Sequence, residues 1–104
     1  MTKAIFAISA IFLAVSQAHA SWIGRASFYH HPRYGGLIAA HRTLPFGTRL
    51  LVTNLGNGRS VTVVVVDRGP FIRNRLLDVS TSAAEALDFK RAGLAVVKVD
   101  LVDK

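Results

Sequence analysis

Val61-Thr62-Val63-Val64-Val65-Val66 runs without a break into Asp67-Arg68-Gly69-Pro70, and no other stretch restricts the fold as strongly. β-Branched side chains are stiff at χ1 and suit a pleated strand better than a helix. Four valines in succession, Val63 to Val66, imply burial on both faces, which one closed or nearly closed barrel would provide. The strand must end at Asp67, because Gly69 and Pro70 force a turn.

The remaining pattern is also mainly β. Arg25 to Tyr29 alternates small or polar residues with aromatic ones, Arg49 to Asn54 and Arg59 to Asp67 are rich in Val, Leu and Thr, and Ala95 to Val102 is a further Val-rich run. Asn54-Leu55-Gly56-Asn57-Gly58 contains an Asn-Gly pair that accepts positive φ, so the second and third of these runs are expected to form a hairpin. One short helix is expected over Thr81 to Phe89, with Ser80 or Ser82 as N-cap and Ser82 matched to Glu85 as a capping box. Glu85 and Asp88 then read as exposed charges on that helix, and Gly93 follows its end.

Met1 to Ala20 reads differently. It has one early cation, Lys3, a 12-residue apolar run from Ala4 to Val15 broken only by Ser9, and a small-x-small end at Ala18-His19-Ala20. That is the pattern of a signal peptide cleaved after Ala20, and the run falls short of the roughly 20 residues needed to span a bilayer. The expectation is a periplasmic protein with no lipid or membrane anchor, made of one domain over residues 21–104. The chain has no Cys, so neither disulfides nor a lipidated cysteine enter, and the core alone must hold the fold. About 80 residues suffice for one core and not for two.

Without Lys3 the chain carries twelve Lys and Arg against six Asp and Glu, a net charge of +6, and every acid lies at or after Asp67. Arg25, Arg33, Arg42, Arg49 and Arg59 therefore have no carboxylate near them in sequence. Such a surface favours anionic partners. In the cytoplasm that would suggest nucleic acid, but export removes that partner and leaves cell-wall polymers and lipid headgroups.

Two ionisable residues stand out. Asp67 emerges where a buried strand gives way to a rigid turn, and partial desolvation there is the setting a general acid needs. The alternative is an Asx-type turn in which the carboxylate only caps backbone amides near Gly69. His41 lies in Ala39-Ala40-His41-Arg42-Thr43-Leu44-Pro45-Phe46-Gly47-Thr48, where no strand or helix pattern calls for an imidazole. It can orient a carboxylate, bind hydroxyls or relay a proton, or it is simply a hydrogen-bonded surface residue. His30 and His31 point opposite ways if extended, and with no Cys and no third ligand at metal spacing neither a metal nor another cofactor is expected. No phosphate loop or strained serine elbow is present. Asp78, in Leu76-Leu77-Asp78-Val79-Ser80, is a support residue near the helix start that can face the same cleft.

Gly24-Arg25-Ala26-Ser27-Phe28-Tyr29, the His41 segment, Val52-Thr53-Asn54, Asn57-Gly58-Arg59-Ser60, Asp67-Arg68-Gly69-Pro70-Phe71 and Leu77-Asp78-Val79-Ser80, in that order, resemble the rare lipoprotein A family. The resemblance implies a six-stranded double-psi β-barrel, related to those of expansins and barwin-like proteins. It also implies an endolytic peptidoglycan transglycosylase acting on glycan strands that lack stem peptides. On this resemblance Asp67 corresponds to the catalytic aspartate and His41 to the active-site histidine. Tyr29 and Trp22 are candidate stacking platforms, although Trp22 is close enough to the cleavage point to be disordered instead. Arg25, Arg42 or Arg68 could attract the lactyl carboxylates. A family glutamate, in a Thr-Ala-x-Gly-Glu segment before the Ala-Ala-His motif, has no counterpart: Tyr29 to Ile38 is shortened and contains no acid.

Ordinary glycosidases need two carboxylates. A lytic transglycosylase uses the muramic C6 hydroxyl as nucleophile and forms a 1,6-anhydro ring, so one residue can serve first as acid and then as base. Asp67 alone meets that minimum. The second reading, from a different class, is a non-catalytic expansin-like module that binds wall glycan. In either case a monomer is expected.

Overall fold

The computed structural model describes residues 20–102; the Met1 to Ala20 expectation lies, but for Ala20, outside the described residues. Six strands occur in the order β1 (Ser21–Tyr29), β2 (Ile38–Ala40), β3 (Arg49–Asn54), β4 (Ser60–Asp67), β5 (Arg75–Ser80) and β6 (Ala95–Leu101), with one helix, α1 (Thr81–Ala86), between the last two. They close into a barrel in the spatial order β1-β5-β2-β4-β3-β6. The pairs β1/β5 and β2/β4 are parallel, and the other four are antiparallel. This is the double-psi β-barrel with one short helix that the motifs imply.

Period-2 alternation fills the barrel. Leu50 and Val52 from β3, Val63 and Val65 from β4, Leu77 and Val79 from β5, and Val97 and Val99 from β6 are all essentially inaccessible to water. Each such side chain contributes roughly 1.5–3 kcal/mol by burial. The valine run departs from expectation here: Val64 and Val66 are only half-buried, so β4 has one core face and one partly wet face.

Sequence propensity found β1, β3, β4 and β6 but not β2 or β5. β2 has only three residues, two of them alanine, and β5 carries Arg75 and Asp78 within its six. Both are strands because they are flanked on each side by paired neighbours, a tertiary requirement that outweighs weak local preference. Trp22 is no disordered tail either: it sits in β1, paired with Val99. β1 begins four residues earlier than its alternation suggests.

The expected hairpin is present, β3 against β4, with Gly58 at φ +79 in the turn. Asn54, nearly buried, locks that turn to the helix: its Nδ2 donates to the Leu87 carbonyl at 2.9 Å and its Oδ1 accepts from the Gly56 amide at 2.9 Å. Asn57 Nδ2 donates to the same carbonyl at 3.0 Å. α1 is shorter than expected, ending at Ala86, and its N-cap is Ser80, whose hydroxyl accepts from the Ala83 amide at 3.2 Å. Ser82 therefore forms no capping box; Glu85 instead meets Lys90 at 3.2 Å. Ala83, Ala84, Leu87 and Phe89 seal one side of the core, with Phe89 edge-on to Phe28 at 6.2 Å.

Candidate active site

β4 carries Asp67 to the barrel rim. Its parallel neighbour β2 pairs Ala40 with Asp67 across a register shift, and the next amide, that of His41, donates to the Asp67 carbonyl at 3.0 Å. Backbone pairing thus joins two residues that are distant in sequence. Their side chains, however, have different partners.

The Asp67 carboxylate is held on both oxygens. Oδ1 accepts from the Arg68 amide at 2.8 Å, the local turn contact weighed from sequence. Oδ2 accepts from the Tyr29 hydroxyl at 3.0 Å and lies 3.7 Å from His31 Nε2. The side chain remains 41% exposed, wetter than its strand-end position suggested, whereas that of His31 is 11% exposed. Four lone-pair positions exist on a carboxylate, so two fixed contacts leave room for an acid proton and a sugar oxygen.

Two imidazoles pin the loops leaving this rim by one device. His31 Nδ1 accepts from the amides of Arg33 and Tyr34 at 2.9 and 3.0 Å, and His41 Nδ1 accepts from those of Thr43 and Leu44, both at 3.1 Å. A ring nitrogen that accepts cannot carry a proton, so in each neutral ring the proton sits on Nε2. For His31 that N–H is the atom nearest Asp67. His31 also lies 4.9 Å from the Tyr34 ring and edge-on to Tyr29 at 6.0 Å.

Burial first, then the charges of Arg42 and Arg68, hold His41 below the usual imidazole range. The ring is therefore a neutral Nε2–H donor near neutral pH. Burial, the bond to Asp67 and the negative charges of Asp67 and Asp78 push the Tyr29 phenol well above its ordinary value, so it stays a donor. Arg68 turns away from Asp67: its guanidinium donates to the carbonyls of His41 and Leu44 at 3.2 and 2.7 Å and stacks over Phe46 at 4.3 Å, bracing the His41 loop. Asp78 accepts from the Ser27 hydroxyl and lies 3.9 Å from Arg75, on the strand across Ala40 from Asp67. Arg42 faces a separate cleft with Arg25 and Arg75. Among the described residues no three His, Asp or Glu side chains converge as metal ligands.

His31 is the residue that sequence reasoning missed. Neighbouring histidines diverge only on an extended chain, but β1 ends at Tyr29, and the chain bends at Pro32 and Arg33, just after His31. The signal lay in Pro32 and Gly35-Gly36 just beyond it, which mark a loop able to fold back over the rim.

A closed six-stranded mixed barrel with one clasped carboxylate at its rim defines a double-psi barrel protein with a candidate acid site. A family profile described as lytic transglycolase matches residues 33–99, a segment that holds His41, Asp67 and Asp78 but begins after Tyr29 and His31. The chain belongs to this family, as its rare lipoprotein A motifs imply. It is 52% identical over 68 residues to the probable endolytic peptidoglycan transglycosylase RlpA of Nostoc sp., covering 65% of this chain and 18% of that one. It is 40% identical over 121 residues to the protein of the same name from Treponema pallidum, covering 99% and 38%. The endolytic peptidoglycan transglycosylase RlpA of Campylobacter jejuni is 52% identical over 66 residues, covering 64% and 24%. The chain thus spans well under half the length of these relatives. Among solved structures, the fold is similar to an expansin from Clavibacter michiganensis, with a TM-score of 0.69 and 22% identity over 82% of this chain and 52% of that one. A Streptomyces papain inhibitor has a TM-score of 0.65 at 21% identity over 81% and 96%. These two likenesses concern the fold alone.

Proposed function

We propose that this domain is a lytic transglycosylase that cleaves peptidoglycan glycan strands lacking stem peptides and leaves 1,6-anhydromuramic ends. The observation that carries the reading is the Asp67 carboxylate, half open to water at the rim and oriented by Tyr29 and the Arg68 amide, in a chain of the lytic transglycolase family. Protonated Asp67 donates to the glycosidic oxygen as the bond to muramic C1 breaks. The muramic C6 hydroxyl then closes on C1 and returns its proton to the same carboxylate. No water is consumed and the acid is regenerated. The Tyr29 phenol and the Nε2–H of His31 face the Asp67 carboxylate, and donors already in place stabilise the negative charge it takes on as it gives up its proton, without reorganisation.

Mass spectrometry of peptide-free glycan strands incubated with the protein tests this. Wild type should give anhydro-ended products, and Asp67→Asn, which keeps the size and one acceptor but cannot cycle a proton, should lower turnover by about a hundredfold or more with the fold intact. Equal activity in both rejects Asp67 as the acid.

One observation favours a second reading: the loop from His30 to Leu37 brings no carboxylate to Asp67. Glycan binding without product in wild type would mark a wall-binding module instead. The Lys3 to Ala20 pattern supports a periplasmic location for either activity, with Ser21 as the mature N-terminus, and the acting form in this reading is a monomer; intact mass of protein recovered from cells, and its sedimentation, test this.

A further inference from the structure

On the outer face of the barrel, a cleft of about 460 Å³ is lined by Arg25 from β1, Arg42 from the loop after β2, and Asn74 and Arg75 at the start of β5. No acidic side chain lines it. Arg25 and Arg75 are direct partners in the parallel β1/β5 register, an arrangement in which like charges repel. Arg75 is partly offset by Asp78 at 3.9 Å and bonds Ser27 at 2.8 Å. Among the described residues, Arg25 and Arg42 have no carboxylate within 4 Å. Asn74 holds φ at +66, a left-handed conformation uncommon for a residue with a side chain. Three arginines lining one cleft, with only Arg75 partly offset by a carboxylate, form a receptor for an anion, and the planar fork of arginine suits a carboxylate.

The walls are not all charged. Ile23 is 68% exposed and Val96 49%, and they leave an apolar side to the cleft. Leu76 completes it, and Gly24 makes the room, because a Cβ there would lie 3.0 Å from that of Leu76. A ligand with a carboxylate beside a methyl and a sugar ring matches both sides of the cleft. Arg42 follows His41 directly, and Arg75 is paired with Asp78, which itself lies across Ala40 from Asp67 at two strand spacings, about 10 Å.

We propose that the Arg25, Arg42 and Arg75 cleft is a subsite for the free lactyl carboxylate of a muramic residue near the scissile bond. This rests on the reading that the ligand is peptidoglycan glycan. The carboxylate is free only where the stem peptide is gone; a peptide converts it to a neutral amide and adds bulk. Selection for peptide-free strands is then made in this cleft and not at Asp67.

Titration calorimetry on the full chain with Asp67→Asn, which keeps the ligand whole, tests the assignment. The probes are peptide-free glycan tetrasaccharides and the same sugars with their carboxyls reduced to alcohols. Reduction should weaken binding about tenfold or more, the loss of one charge-assisted contact. With Arg25→Gln and Arg42→Gln added, the two sugars should bind alike. Equal binding of both sugars to the parent overturns the subsite, as does no binding of either. Displacement by a phosphate-rich polymer together with indifference to carboxyl reduction also overturns it, in favour of a phosphate ligand. Anhydro-product formation by wild type is scored separately: product without carboxylate preference sinks the subsite alone, and carboxylate preference without product sinks the reaction alone.

Discussion

Tyr29 and His41 differ in what each can contribute beside Asp67, and substitutions separate them. Tyr29→Phe removes a hydroxyl bonded to the carboxylate at 3.0 Å while keeping the ring beside His31. Loss of a hydrogen bond to a charged group should lower kcat by about tenfold with little change in KM, measured on peptide-free strands. His41 sets a pH dependence of stability. Its folded value is held below about 6.5, so as pH falls the unfolded chain takes up the proton first. The stabilisation by the neutral ring is complete above that value and is lost as pH drops through the lower folded one. His41→Asn places an amide oxygen near the accepting Nδ1 and does not titrate, so its urea midpoint should fall less than that of wild type between pH 7.5 and 5. At this scale the sequence pointed to Asp67, His41, Tyr29 and Asp78 by residue type and neighbours. It did not show that the Asp67 and His41 side chains turn to different partners, or that His31 fills the rim, because loop folding decides both.

Turn and helix are tied by two side-chain amides, of which that of Asn54 is buried. Asn54 donates to the Leu87 carbonyl and accepts from the Gly56 amide, and these contacts fix which way round the amide sits. Asn54→Asp would face that carbonyl with a second oxygen. Its denaturation midpoint should report a loss of about 2–3 kcal/mol, and the isosteric shape excludes a packing cause. The β3/β4 hairpin was legible because Asn57-Gly58 states a turn locally. β2 and β5 were not, since Ile38-Ala39-Ala40 has no period to read and Arg75 and Asp78 interrupt the apolar pattern of β5. The N-cap was legible as a choice between two serines. Ser80 takes it because it also donates to the Gly36 carbonyl at 2.6 Å, fastening the loop before β2 to the helix start.

Across the whole molecule, Arg25, Arg42 and Arg75 share one cleft, and the carboxylates of Asp67 and Asp78, outside it, are committed to Tyr29, Ser27 and Arg75. Glycan binding should weaken as salt rises, whereas chemical unfolding should change little, because the core is aliphatic. The net charge of the sequence announced an anionic partner, but only the register of β1 with β5 shows where the positive charge gathers. That closure has a temporal side. β1 stands between β5 and β6, so the first strand of the barrel waits for the last two before either of its edges is covered. A chain emerging from its N-terminus can pair β2 to β5 among themselves and with β1, but until Ala95–Leu101 arrives the barrel cannot close. Such a chain stays threadable through a narrow conduit for almost its whole length, and pulse-labelled protein halted before residue 95 should remain protease-sensitive while the finished chain does not.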